Sequence, residues 1–494
     1  LRTTDPSHDK TRIQRAKGGL LKASCDWILE NGEFLTWLEQ EDSYLLWIKG
    51  DPGKGKTMLL CGIIDEMIEK FGDTPVAFFF CEVSDVRINN ATAVLRGLIY
   101  SLVKDKPKLL SLVRRAYDQA GKSLFEDVNA WDALLQIFKE VLNDLAPQRT
   151  FLIIDGLDEC TTGLPLVLDL LYNSSEFAHV KWIASSRNWP LIEGHLDMIA
   201  RKATIGLELN SAFVTKAVAI YIDHKVQELA RLKRYTEDIS RAVHLHLSQN
   251  SRETFLWVSL VCQELRTTSR RKTQEKLKTF PPGLTDLYRS MIKRIDDLED
   301  SDICKEVLAT ICTLYRPITL DELVTFLDEA LFANEEDVEE VVKSCGSFLT
   351  LQDKTIYFVH QSAKEFLTGP ASIQIFRSGI KHQHRNIFSQ SLTAMFAKFR
   401  DDLYGLKAPG FPIDQVTRPD PDPLAQLRYS CLYWVEHLYE SDVQPDHDGY
   451  LQTGRLVDNF LSQKYLNWLE ALSLIGGISE GVLAMAKLEE SLKV

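Results

Sequence analysis

The sequence predicts an α/β domain in which a parallel sheet carries helices on both faces, followed by a helical, a winged-helix and a second helical domain. Three observations carry that prediction. Apolar β-type runs at 44–49, 76–81, 151–155, 180–185 and 204–209 alternate with helical stretches, notably 91–103 and 131–145; strands alternating with helices build a parallel sheet covered on both sides. From Ser211 the pattern turns wholly helical, with stretches at 212–230, 239–247, 254–265 and 284–298. Residues 302–368 then place a helix at 303–314, the capping box Thr319-Leu-Asp-Glu322 opening a second, a third helix at 335–344, and two β runs, 347–351 and 355–359, around the polar turn Gln352-Asp353-Lys354. Three helices and a hairpin describe a winged helix.

The first β run leads into Gly50-Asp51-Pro52-Gly53-Lys54-Gly55-Lys56-Thr57, a complete G-x-x-x-x-G-K-[ST] phosphate-binding loop. A helix follows, with Leu59, Ile63, Met67 and Ile68 on one apolar stripe. Glycines let successive backbone N–H groups turn toward phosphate oxygens, and the helix start adds its positive dipole end. The expectation is therefore an α/β P-loop NTPase domain that binds ATP or GTP with Mg²⁺. Gly50 through Met58 would cradle the nucleotide, Lys56 would reach the β and γ phosphates, and the Thr57 hydroxyl would sit on the metal.

The run at 151–155 ends in Asp155, followed by Gly156-Leu157-Asp158-Glu159. A carboxylate at the C-terminal edge of a buried strand, beside the phosphate loop, is placed to hold Mg²⁺. Asp158 and Glu159 would orient or deprotonate the attacking water, and a small Gly156 would leave room for the triphosphate. Residues 181–187 end in Arg187 at the same edge, positioned to contact the γ phosphate. His360 closes the hairpin and precedes the helical segment from Gln361; taken alone, its residue type and place read as a structural side chain.

Composition narrows the function classes. The chain has 494 residues, 45% hydrophobic and 26% charged, and a net charge of −13. That length suggests about three domains of ~150 residues, and the acidic balance argues against a nucleic-acid track. The third helix of the winged region, beginning Glu335-Glu-Asp-Val-Glu-Glu340, is itself acidic and would repel phosphate. The nine cysteines show no C-x-x-C pair and no zinc spacing with histidine, which fits reduced thiols and a cytoplasmic or nuclear setting. No apolar run reaches the ~18 residues of a membrane span. The first residue is Leu1, and the expectation is a piece of a longer protein.

In their order and spacing, Gly50 to Thr57, Leu152-Ile-Ile-Asp-Gly-Leu-Asp-Glu-Cys160, Ala184-Ser-Ser-Arg187 and Phe358-Val-His-Gln-Ser-Ala-Lys-Glu-Phe-Leu367 resemble the NACHT module of fungal NOD-like receptors. These are signal-transducing ATPases with numerous domains that include the vegetative, or heterokaryon, incompatibility proteins. The resemblance runs from about Asp9 to the C-terminus. It implies an opening segment beside the nucleotide at 1–43, a nucleotide-binding domain at 44–210, a first helical domain at 211–300, a winged helix at 301–370 and a second helical region at 371–494. It implies that His360 contacts the β phosphate of bound diphosphate and holds a closed state, and that exchange for triphosphate opens the chain for self-association and signalling. An N-terminal effector domain and C-terminal sensing repeats are implied beyond this sequence. One departure concerns the base: many animal relatives place a proline against the adenine where Glu253-Thr-Phe-Leu256 stands here, and no N-K-x-D guanine signature occurs. The alternative reading is a cycling P-loop motor or remodelling ATPase, which would hydrolyse fast and handle a polymer.

Overall fold

The computed structural model describes residues 4–40, 43–104, 106–121, 123–127, 129–200, 202–327, 335–406, 410–441 and 456–492. The chain divides into two compact units, Leu1–Ser290 and Met291–Val494.

The first unit is built on five parallel strands, β1 (Leu45–Lys49), β2 (Val76–Phe80), β3 (Thr150–Asp155), β4 (Val180–Ser186) and β5 (Lys202–Gly206), in the order β2-β3-β4-β1-β5. Side chains alternate between faces, as the two-residue strand period requires. Leu45, Trp47, Ala77, Phe79, Leu152, Ile154, Trp182 and Ala184 enter one core, covered by the helices Ala91–Val103, Ala130–Leu145 and Leu164–Asn173. Gly97 allows the first of these helices to lie on the sheet, because a Cβ there would come within 2.2 Å of the Phe79 ring. On the opposite face Phe151 packs against Phe71 and Trp37, from the helices Lys56–Phe71 and Gly32–Glu39. The buried Lys181 ammonium donates to the carbonyls of Trp37, Gln40 and Ser43, so β4 holds the C-terminal end of the second of these helices.

Two local expectations need correction. Ile68 is 49% exposed, whereas Leu59, Ile63 and Met67 are buried; one residue past Met67 turns the helix by about 100°, away from the sheet. The last strand ends at Gly206 rather than at 209, because residues 207–210 turn into the helix Ser211–Lys233 and leave Leu209 in solvent. The helices Glu237–Asn250, Phe255–Thr267 and Thr273–Leu277 follow in this unit.

The second unit opens on a winged helix. Helix Ser301–Thr313 leads to β6 (Ile318–Thr319) and the short helix Leu320–Val324; helix Glu335–Ser344 follows, then the hairpin of β7 (Leu349–Gln352) and β8 (Thr355–Phe358), in an antiparallel sheet ordered β6-β8-β7. The capping box forms in both directions, Glu322 N–H to Thr319 Oγ1 at 3.2 Å and Thr319 N–H to Glu322 Oε2 at 3.0 Å. Buried Glu322 also takes a two-pronged bond from Arg316, whose guanidinium lies over the rings of Tyr429 and Tyr433. The wing is thereby tied to the antiparallel pair Ile380–Lys398 and Arg428–Glu440, which packs with Leu456–Ile475 around Phe388, Trp434, Phe460 and Trp468.

A buried chain of polar rings runs through that pair. His384 Nδ1 and His437 Nδ1 are 2.9 Å apart, His437 Nε2 meets the Tyr429 hydroxyl at 2.8 Å, and that hydroxyl accepts from Tyr315 N–H at 3.1 Å. Burial, reinforced by Lys364, pushes His384 down to about 4; burial and the neighbouring His384 push His437 well below the usual range. Both are therefore neutral when folded, whereas an unfolded chain protonates them near pH 6.5. Between pH 6.5 and 4 the unfolded state binds more protons, so stability is full above that window and is lost as pH falls through it. His384 alone is worth at most about 3 kcal/mol, and roughly 2 after solvent screening. Urea unfolding should show this loss between pH 7 and 4, and His384→Asn should flatten it by about that amount; equal slopes in parent and variant would refute the assignment.

Candidate functional site

At the end of β1, Gly53 and Gly55 adopt φ values of 78° and 90°, and Gly55 caps the helix Lys56–Phe71. Both positive angles suit glycine. The first intrahelical bond runs from Leu59 N–H to Gly55 C=O at 2.9 Å, which leaves the N–H groups of Lys56, Thr57 and Met58 at the open end of the helix. Lys56 Nζ donates to the carbonyls of Gly50 at 2.5 Å and Asp51 at 3.2 Å. Its pKa is lowered chiefly by burial, against the pull of Asp158, Asp155 and Glu159 and with the push of Arg187. The lysine thus feels all four residues predicted from the two later strands, and the fold has brought them to one edge.

The loop also has a second wall. A Cβ on Gly53 would come within 2.7 Å of Thr254 Cγ2, and one on Gly55 within 2.9 Å of the Phe255 ring. Leu256 N–H reaches Gly53 C=O at 3.4 Å, and Lys54 pairs with Glu253 at 3.3 Å. The stretch Glu253-Thr-Phe-Leu256 is therefore packed on the phosphate-loop glycines. At the loop's start, the Asp51 N–H donates to Glu208 Oε1 at 2.6 Å. Neither Glu208 nor Glu253 carried a sequence signal for these contacts, since both lie outside the motif.

On the acidic side, β4 separates β3 from β1, so Asp155 does not come from the strand adjoining the loop strand. Asp155 is buried and its Oδ1 accepts from Ser185 Oγ at 2.5 Å; the same Ser185 oxygen accepts from Gly156 N–H at 3.0 Å. No sequence signal gives Ser185 a role, because its partner depends on strand order. Gly156 takes φ 72°, and a Cβ there would face the Cys81 carbonyl at 3.3 Å and Glu159 carbons at 3.6 Å. The positive φ and the close Cys81 carbonyl both suit glycine at this turn.

Asp158 and Arg187 hold each other. Arg187 Nε lies 3.0 Å from Asp158 Oδ2, and Arg187 N–H donates to Asp158 Oδ1 at 3.0 Å. Burial raises the Asp158 pKa, opposed by Arg187 and Lys56. Glu159 accepts from Val83 N–H at 3.1 Å, and burial, then the Asp158 charge, push it up to about 8. Such a carboxyl is poised near neutrality, as a general base requires. Hard oxygen donors at Thr57 and Asp155 suit Mg²⁺, which takes few protein ligands beside phosphate oxygens; among the described residues no group of three or more His, Cys, Asp or Glu forms a separate metal site.

His360 lies in the second unit as the N-cap of the helix Gln361–Thr368. Its Nδ1 accepts from Ser362 N–H at 3.0 Å, which places the neutral ring's proton on Nε2. The nine cysteines are buried free thiols, and among the described residues no helix is long and apolar enough to cross a membrane.

Residues 23–187, which contain the loop, Asp155 and Arg187, match the family described as Nephrocystin 3, N-terminal. The whole chain is 47% identical over 511 aligned residues to vegetative incompatibility protein HET-E-1 of Podospora anserina, and it spans 38% of that relative's length. Similar solved structures include the Walker-type ATPase PABY2304 of Pyrococcus abyssi, at 11% identity and TM-score 0.32 over 70% of this chain and 94% of that one. The ORC2 protein of Aeropyrum pernix is similar at 10% identity and TM-score 0.33, over 75% and 98%. Identity across the whole chain, a complete phosphate loop and the parallel sheet that presents it agree: the chain belongs to the NACHT-type P-loop NTPases of the vegetative incompatibility family.

Proposed function

We propose that this chain is the nucleotide-dependent switch of a longer cytoplasmic receptor in fungal non-self recognition or programmed cell death. The carrying observation is the convergence of Lys56 with Asp155, Asp158, Glu159 and Arg187 at the end of the phosphate-loop strand. Gly50 through Met58 would hold the phosphates of ATP or GTP, with Lys56 turning from two loop carbonyls to the β and γ oxygens. Thr57 and Asp155 would hold Mg²⁺, whose charge offsets that of the phosphates. Glu159 takes the proton of the attacking water, and Asp158 fixes Arg187 at the γ-phosphate side.

Hydrolysis in this reading is slow and resets the switch. Diphosphate would be retained in a closed state through His360, with its Nε2–H donating to a β-phosphate oxygen; the Nδ1 bond to Ser362 N–H supports that tautomer. Exchange for triphosphate opens the chain, which then self-associates and activates an effector. The effector and the ligand-sensing repeats would lie outside this chain, which spans 38% of the relative's length.

Lys56→Ala should weaken triphosphate affinity by about 3 kcal/mol, roughly a hundredfold, because a buried cation facing the phosphates is lost. Since Lys56 bonds only loop carbonyls here, the circular dichroism spectrum should be unchanged. Calorimetric titration with ATP and with GTP checks this, and parent-like affinity for both would sink the assignment.

Glu159→Gln should keep Mg²⁺-dependent triphosphate binding and lower the hydrolysis rate by about 10²-fold, the lower range for loss of a general base. In the parent, the raised pKa means that the rate climbs with pH as the carboxyl ionises near 8. Single-turnover rates from pH 6 to 9 should show that climb, and the glutamine variant should lack it. A variant hydrolysing at the parent rate would remove Glu159 from the chemistry.

A further inference from the structure

We propose that Ser185 is a positioning residue for the metal-holding carboxylate of Asp155; the inference rests on the metal role proposed above for Asp155. A serine hydroxyl has one proton and two lone pairs. Here one lone pair takes Gly156 N–H at 3.0 Å, and the single proton goes to Asp155 Oδ1 at 2.5 Å. The direction of both bonds is fixed, because a backbone N–H can only donate. Among the described residues, Asp155 Oδ2 meets no hydrogen-bond donor, so Ser185 occupies one carboxylate oxygen and leaves the other for a cation.

The strand order makes this possible. β4 lies between β3 and β1, pairing Ala184 with Ile154 on one side and Ser185 with Ile48 on the other. Ser185 therefore stands level with the last residues of the phosphate-loop strand and beside the first residue past the Ile154 register, which is Asp155. By bonding Gly156 N–H as well, its wholly buried hydroxyl fixes the left-handed turn from which Asp158 and Glu159 follow. Neighbouring Ser186 supplies the contrast. Its hydroxyl accepts from Trp47 Nε1 on β1 at 2.9 Å and donates to Arg187 C=O just past β4 at 2.9 Å, without touching Asp155.

Partners of ligating groups typically set metal affinity by 10–100-fold. With a fluorescent non-hydrolysable triphosphate as probe, affinity is measured against Mg²⁺ concentration and again in chelator. Ser185→Ala should raise the Mg²⁺ needed for half-maximal binding by about tenfold and leave the chelator affinity at the parent value. Ser185→Thr, which keeps the hydroxyl, should restore the parent curve, and Ser186→Ala should not depart from it. Ser185→Cys keeps the side-chain size with a weaker donor and gives the same reading if the alanine variant does not fold. Equal weakening with and without Mg²⁺ would show a merely structural serine and overturn the proposal, as would a parent-like Mg²⁺ curve in Ser185→Ala. Asp155→Asn is run in parallel: loss of Mg²⁺ dependence there with none in Ser185→Ala overturns the serine's role alone, whereas retained dependence in Asp155→Asn removes the metal role itself and the proposal with it.

Discussion

The phosphate loop works only if its backbone can pass close to other atoms on two sides, and the first unit is arranged around that constraint. Gly53 and Gly55 hold left-handed angles that free the N–H groups at the start of the following helix, and the same two residues carry Thr254 and Phe255 against their bare Cα atoms. A side chain at either position would strain the backbone and collide with the helical segment. The loop is thus shared between sheet and helices. A change in its shape on binding phosphate would be felt directly by the segment at 253–256, through packing and through the Lys54–Glu253 pair.

Charge gives the loop its partner. Asp155, Asp158 and Glu159 share a rim with Lys56 and Arg187, where burial penalises the charged forms of Lys56, Asp158 and Glu159. Hard oxygen donors at Thr57 and Asp155 suit the divalent cation that accompanies a phosphate chain. Within that rim the structure gives each carboxyl a different neighbour: a hydroxyl for Asp155, a guanidinium for Asp158 and a backbone N–H for Glu159. Three identical functional groups therefore acquire different environments from their neighbours alone.

The loop, the strand ending in Asp155 and the capping box at Thr319 were legible because each is a local pattern whose physics lies within a few residues. What stayed illegible depends on which strands adjoin. The order β2-β3-β4-β1-β5 brings Ser185 to Asp155, and nothing in the spacing of 155 and 185 announces that. The mutual bond of Asp158 and Arg187 was hidden for the same reason, so the two read as independent groups aimed at water and phosphate. Gly156 was legible as small, but its close approach to the Cys81 carbonyl just past β2 was not, since that depends on which strands adjoin. Ile68 failed on a finer point: an apolar residue at the end of a helical stripe need not face the sheet.

A switch and a continuously cycling ATPase share these parts and differ in how long diphosphate stays. The most direct test is the release rate of diphosphate from the purified chain and from His360→Leu. A switch held by the Nε2–H of His360 predicts that diphosphate co-purifies with the parent and leaves slowly, and that the leucine variant releases it faster by about tenfold or more, the loss of one charge-assisted hydrogen bond. Rapid release from the parent, or the same rate from both proteins, would contradict the account.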